Sequence, residues 1–280
     1  MKMVNGMSWK LGTCMWGMPD KGMPGAVKAA ELGFEGISMD VSLFECEDTG
    51  EREDRFAQWE QVKEIHQIVC PSVSVEILNE YGLTKPASSE AGRFALEASF
   101  RGIETAEKMG VHVMQLPSFN DGAIVTEENF RWTCENLKIL CREAEGTGVN
   151  IASENNLDLT MSLRMIEEIG SDRFGILFDT QNYYLNGVEN TPDLFRKIAP
   201  YVYQIHVKDG VNGTVSNALI GAGESGFEET AAAIREAYRG EWILIETYYD
   251  RPPFDKENEI YSFVKKDMET CRKAFPRLNG

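Results

Sequence analysis

The 280-residue sequence has no Cys-x-x-Cys pair, no long uninterrupted apolar run, no Pro/Ser/Gly-rich linker and few positive charges. Each absence excludes a class of protein. Without a Cys-x-x-Cys pair, the scattered Cys14, Cys46, Cys70, Cys134, Cys141 and Cys271 read as reduced thiols, because a chain of this length buries a core without staples. Without a 20-residue apolar stretch no segment is predicted to span a bilayer. The opening Met1-Lys2-Met3-Val4-Asn5-Gly6 lacks the apolar core of a secretory signal, so a cytoplasmic setting is expected. Twenty-eight Lys and Arg against 45 Asp and Glu give a net charge of −17, which repels a phosphate backbone and makes nucleic acid an unexpected partner. No Gly-x-Gly-x-x-Gly turn follows the first apolar run, so the main signature of a dinucleotide-binding open sheet is missing.

What is present is an alternation. Short β-branched runs near 10–15, 35–40, 73–78, 111–116, 149–154, 174–179, 202–208 and 242–247 predict eight strands. Amphipathic stretches near 23–32, 55–69, 87–109, 126–146, 158–169, 191–199, 225–239 and 256–274 predict eight helices. Thr126, and Thr191 before Pro192, read as helix starts. Gly33, Gly110, Gly148, Gly170 and Gly240 fall where helices end and a left-handed residue is expected. Eight right-handed β-α units of this total length close into an α/β fold of the (β/α)8 TIM barrel type, expected to form one domain over residues 1–280.

A barrel places its chemistry at the carboxyl ends of its strands. Here strand five ends at Glu154, strand six at Asp179, strand seven reaches His206 and strand eight reaches Glu246. Side chains alternate with period two, so Glu154 shares a face with Ala152 and Asn150, Asp179 with Leu177 and Gly175, and His206 with Gln204. The opposite phase carries Ile151, Ile176, Phe178, Ile205, Val207, Ile243 and Ile245, the set expected beneath the outer helices. One such carboxylate alone reads equally as a helix cap; four candidate ligands in one phase on consecutive strands predict a shared divalent cation. The oxygen-rich set favours manganese, magnesium or cobalt over a thiolate-type zinc site. Lys208, in phase with His206, is expected to reach substrate oxygens, and Asp209 to orient the imidazole. Trp16, Asp40, Glu76, Asn79, Gln115, Asn156 and Asn182 are further candidates for a mouth that binds a polyhydroxylated ligand.

The runs Glu154-Asn155, Asp179-Thr180-Gln181-Asn182, His206-Val207-Lys208-Asp209, Gly221-Ala222-Gly223-Glu224-Ser225-Gly226-Phe227 and Ile245-Glu246 resemble the xylose-isomerase-like sugar isomerase/epimerase superfamily, as does Leu32-Gly33-Phe34-Glu35-Gly36-Ile37. The resemblance implies a (β/α)8 barrel binding one divalent metal, manganese first and magnesium, cobalt or zinc otherwise, through Glu154, Asp179, His206 and Glu246. It implies that Glu154 and Glu246 also form an acid/base pair acting beside a carbonyl through an enediolate. Ketose 3-epimerases of this kind have a histidine where Asn182 stands, an arginine where Asn212 stands and a glutamate near Thr160, so the substrate contacts differ here. The leading expectation is a metal-dependent sugar isomerase or epimerase. A lyase or dehydratase of a keto-sugar, keto-glycoside or keto-cyclitol comes second, with an apurinic endonuclease or a non-catalytic sugar-binding barrel below it. The partners expected are a small sugar or polyol and, by analogy, a second copy of the chain.

Overall fold

Side chains point alternately inward and outward along a strand, and in this chain the two sets differ chemically. The computed structural model describes residues 8–46, 48–188, 190–256 and 259–279. Its strands are β1 (Lys10–Cys14), β2 (Gly36–Asp40), β3 (Val73–Ser74), β4 (Val113–Pro117), β5 (Asn150–Glu154), β6 (Phe174–Asp179), β7 (Val202–Val207) and β8 (Trp242–Ile245). They pair in that order, all parallel, and β8 closes onto β1 through Lys10–Trp242 to Thr13–Ile245. Nine α-helices lie among the described residues: α1 (Gly22–Leu32), α2 (Thr49–His66), α3 (Glu90–Met109), α4 (Glu127–Glu143), α5 (Leu159–Ile169), α6 (Asn182–Leu185), α7 (Thr191–Ile198), α8 (Phe227–Ala237) and α9 (Ile260–Ala274). The architecture is the (β/α)8 barrel that the strand and helix alternation predicts. None of the helices described is long and apolar enough to cross a membrane.

Outward residues such as Ile151, Ile176, Phe178, Ile205, Val207, Ile243 and Ile245 are fully buried in the apolar layer between barrel and helices. The barrel interior holds a separate small cluster of Cys14, Trp242 and Leu244. Gly12 and Gly36 make room for it: a Cβ at Gly12 would stand 2.5 Å from Leu244 Cδ2, and one at Gly36 2.7 Å from the Trp242 ring. Above this plug the interior is polar. Ser72 Oγ donates to Gln204 Oε1 at 2.7 Å across the barrel and lies 2.5 Å from Ser38 Oγ. Layered filling of this kind makes the barrel a packed core rather than a pore, and the functional groups occupy its last inward layer.

The structure corrects several boundaries. β3 ends at Ser74 instead of running to residue 78, because the chain turns into a one-turn 3-10 helix, Glu76–Asn79, where the Glu76 carboxylate accepts from both Ser74 Oγ and Asn79 Nδ2. α2 begins at Thr49, six residues early, since Asp48 caps it by accepting from the Gly50 and Glu51 amides; the polar first turn hid that start from apolar periodicity. Asn190, not Thr191, caps α7. Gly33, Gly110 and Gly170 end helices in the left-handed conformation, and Gly148 is left-handed in the turn into β5. Gly240 is not left-handed; the chain there passes over the Tyr238 phenol, which donates to the Tyr203 and Trp242 carbonyls, and a Cβ would meet it at 2.3 Å. α6, a single turn after β6, was not foreseen.

One buried carboxylate ties loops at the carboxyl ends of the strands to the scaffold. Asp267 on α9 accepts from the Ile220 amide at 2.9 Å, Thr247 Oγ1 at 2.9 Å and the Tyr249 hydroxyl at 2.8 Å, which fixes the segment just after β8. Burial pushes its carboxyl up to about 6, against the pull of those three donors. Asp267→Ala leaves three buried donors without an acceptor, each costing roughly 1–3 kcal/mol in isolation. We expect about 3 kcal/mol lower stability in urea unfolding after partial relaxation. A loss below about 1 kcal/mol would show that the clamp is dispensable.

Candidate metal centre and cavity

The four sequence candidates meet. Glu154, Asp179, His206 and Glu246 each offer one ligand atom, and these atoms all lie within 4.8 Å of one another. The barrel sets this geometry. Asp179 and His206 are register partners on β6 and β7, and the Glu246 amide, one residue past β8, donates to the Val207 carbonyl at 2.9 Å. All four side chains are buried.

Each is held from behind. Gln115 Nε2 donates to Glu154 Oε2 at 2.5 Å and Asn182 Nδ2 to Glu154 Oε1 at 3.0 Å. The amides of Gln181 and Asn182 donate to Asp179 Oδ1 at 2.8 and 2.7 Å, because α6 begins immediately after β6. Trp16 Nε1 donates to Glu246 Oε1 at 2.6 Å, and Lys208 Nζ to Glu246 Oε2 at 2.5 Å. Cys14 Sγ lies 3.6 Å from His206 Nε2, so the imidazole turns Nδ1 toward the carboxylates, 3.3 Å from Glu246 Oε2 and 3.8 Å from Glu154 Oε1. Asp179 Oδ2 and His206 Nδ1 are buried without a hydrogen bond. Buried polar atoms are rarely left so.

Charge tells the same story. Three buried carboxylates face one ammonium, Lys208, whose Nζ is also 3.3 Å from Asp179 Oδ2. Burial, with Glu246 adding, pushes the Glu154 carboxyl well above its ordinary value, and burial also raises Asp179. Burial disfavours ionised Glu246 too, but Lys208 and His206 outweigh it and hold this carboxyl below the usual range. Burial works against the Lys208 charge, yet Asp179 and Glu246 keep it firmly protonated. The protein alone therefore sets three buried carboxyls against one ammonium, a balance that favours a proton on Glu154. Two orphaned ligand atoms and an oxygen-rich donor set with one imidazole fit a divalent cation.

The cluster opens into a cavity of ≈ 370 Å³ whose lining includes Glu76, Asn79, Asn156, Asn182, Lys208 and Tyr248. Asn156, Asn182 and Lys208 thus reach the space expected for substrate. Trp16 and Gln115 do not line it; they hold Glu246 and Glu154 from behind. Asp209 is a clear correction. Its carboxylate turns from the imidazole and accepts from the Gly210, Gly221, Gly223 and Ser225 amides and the Ser225 hydroxyl, organising the glycine-rich loop. Sequence reasoning missed Cys14 under the imidazole, and Phe119, Asn120 and Tyr248 on the rim. A signal existed for the last three, which follow the ends of β4 and β8 by two or three residues.

Fold and site together define a parallel (β/α)8 barrel with a carboxylate–imidazole centre suited to a divalent cation. The chain belongs to the xylose isomerase-like TIM barrel family, whose model matches residues 26–266. It is 30% identical over 230 residues, 82% of this chain and 83% of the relative, to a 2-epi-5-epi-valiolone 7-phosphate 2-epimerase of Actinoplanes sp.. It is similar in structure to a D-psicose 3-epimerase solved in the presence of D-fructose, with TM-score 0.75, 15% identity and coverage of 97% and 100% of the two chains. A xylose isomerase-like TIM barrel protein from Mycobacterium smegmatis in complex with magnesium aligns with TM-score 0.70, 16% identity and coverage of 96% and 98%.

A pH dependence follows. Glu76, raised from 4.5 to about 7, and Glu154, also raised, hold protons in the folded state that the unfolded chain has released. These groups make metal-free stability fall as pH rises from about 4.5 toward 7; Glu246, lowered, acts oppositely and only on acidification. A divalent cation would compete with protons for the carboxylates of the cluster, so thermal stabilisation by excess manganese should grow as pH rises, reaching about 4 kcal/mol at a thousandfold excess over Kd. Thermal melts with and without EDTA test this. A manganese effect that is absent, or that shrinks with pH, contradicts the centre.

Proposed function

We propose that this protein, a single barrel domain over residues 1–280, is a divalent-metal-dependent epimerase of a sugar or sugar-like polyol bearing a carbonyl. One observation carries the reading. Two glutamates from β5 and β8 reach one buried centre, each fixed by two neutral or cationic donors, beside a cavity large enough for a small sugar. The Actinoplanes relative, an epimerase by name, and the matched family support it.

Glu154, Asp179, His206 and Glu246 would hold the cation. Once bound, it supplies positive charge next to the substrate oxygens on which negative charge develops. The protein's own groups move the proton. A carboxylate on one face of the carbon beside the carbonyl removes its hydrogen, and the carboxyl on the other face returns one with inverted configuration. The roles of Glu154 and Glu246 exchange when the reaction runs backward. Gln115 and Asn182 hold Glu154, and Trp16 and Lys208 hold Glu246, so neither carboxylate must reorganise as the proton moves. Lys208 and Asn182, which line the cavity, also hydrogen-bond substrate oxygens, with Asn156. We take manganese as the resident cation, carbohydrate metabolism as the role and the cytoplasm as the setting. The acidic chain and single-centre ligand set favour a small-molecule substrate over nucleic acid.

Glu246→Gln should lower turnover by at least about a hundredfold with the fold intact, since general acid–base groups contribute roughly 10²–10⁴. Incubation of the manganese-loaded protein with ketoses in deuterium oxide should exchange the hydrogen beside the carbonyl, and Glu154→Gln should suppress it. Turnover near the parent level in Glu246→Gln defeats the assignment. Asp179→Ala and His206→Ala should each lower bound manganese about tenfold or more, as measured by elemental analysis. Unchanged metal content in both means that the ligand set is wrong.

A further inference from the structure

The cavity has a second wall that the proposed chemistry leaves idle. In an eight-stranded barrel β3 lies opposite β7, so the turn after β3 faces the cluster across the mouth. That turn contributes Glu76 and Asn79 to the cavity lining. The Glu76 carboxylate is held on both oxygens, by Ser74 Oγ on one and Asn79 Nδ2 at 3.1 Å on the other. Asn79 Oδ1 is buried with no hydrogen-bond partner. A buried acceptor without a donor, beside a positioned carboxylate, leaves hydrogen-bonding capacity on this wall that a ligand donor would use. The position is also costly to occupy. Burial, with Asp40 and Glu246 adding, pushes Glu76 up to about 7 against the pull of Ser74 and Lys208, and Glu154 and Tyr248 face it from the same cavity.

We propose that Glu76 and Asn79 form a second substrate subsite, opposite the four-residue cluster, that accepts hydrogen bonds from the terminal hydroxyl end of a ketose whose carbonyl lies at the cluster. This rests on the epimerase reading and names which part of the substrate the far wall recognises. A sugar hydroxyl donates to either acceptor; an ionised phosphate ester donates to neither, and above about pH 7 it also meets the negative charge of Glu76. The cations on the cavity lining are Lys208, already bound to Glu246, and Arg251 at the rim, stacked 4.2 Å from the Tyr248 ring centroid.

The test is calorimetric binding to the manganese-loaded full chain with D-fructose, its 6-deoxy analogue and D-fructose 6-phosphate as probes. Removing the 6-hydroxyl, or adding the phosphate, should weaken binding to the parent protein about tenfold, the usual effect of a charge-assisted hydrogen bond. In Glu76→Ala, D-fructose should bind about tenfold more weakly and the 6-deoxy penalty should vanish; Asn79→Ala should show a smaller change in the same direction. Glu76→Gln, with its thermal midpoint measured alongside, controls for folding. A merely structural Glu76 would weaken both sugars equally, and that result, or a 6-phosphate binding as tightly as the free sugar, overturns the subsite. If neither D-fructose, D-tagatose, D-psicose nor L-sorbose binds or exchanges deuterium with the parent protein, the ketose reading itself fails and takes the subsite with it.

Discussion

Uncompensated buried charge is the constraint on which the rest of this structure depends. Three carboxylates are carried into the barrel mouth by parallel strands, and the chain brings a single ammonium to meet them. Desolvating such a group without a partner costs several kcal/mol, which no hydrogen bond from a neutral donor removes. Lys208 offsets the charge of Glu246 and partly that of Asp179, whereas burial favours a proton on Glu154. The same surplus of carboxyls that costs stability in the protein alone would favour a cation, so any affinity for metal and that cost have one origin.

Much of this was legible in the sequence, because two rules of strand geometry are strictly local. Alternation by two put Glu154, Asp179 and His206 on the face opposite Ile151, Ile176 and Ile205, and the structure buries the two sets in separate layers. Strand ends marked the catalytic side. What failed was nonlocal or depended on a turn. Asp209 stands three residues after His206 and reads from sequence as a partner for the imidazole, but a loop twelve to sixteen residues later supplies amides that claim its carboxylate. Trp16, just after strand one, and Gln115, on strand four, read from sequence as substrate contacts; the glutamates they hold lie 230 and 39 residues away. No spacing rule connects such pairs. β3 was overextended because Val73 to Leu78 has strand-like composition, whereas a carboxylate taking two side-chain hydrogen bonds bends it into a turn.

The placement of the supporting donors explains how the cluster stays charged. Trp16 after β1 and Gln115 on β4 approach the glutamates with neutral N–H groups, and Asn182 does the same from α6. A neutral donor fixes a carboxylate without cancelling its charge, so direction and charge are set separately. Had arginines filled these places, each glutamate would be as well oriented but its charge already matched, and the attraction for a cation would fall with it. The one ammonium, Lys208, binds the carboxylate that its neighbours drive furthest toward ionisation, which keeps Glu246 from competing with Glu154 for a proton. Two glutamates of identical chemistry thereby sit in one centre with different proton affinities. That asymmetry comes from which donors distant parts of the chain deliver, Gln115 and Asn182 to Glu154 and Trp16 and Lys208 to Glu246, and it suits a reaction that takes a proton from one face and returns it to the other.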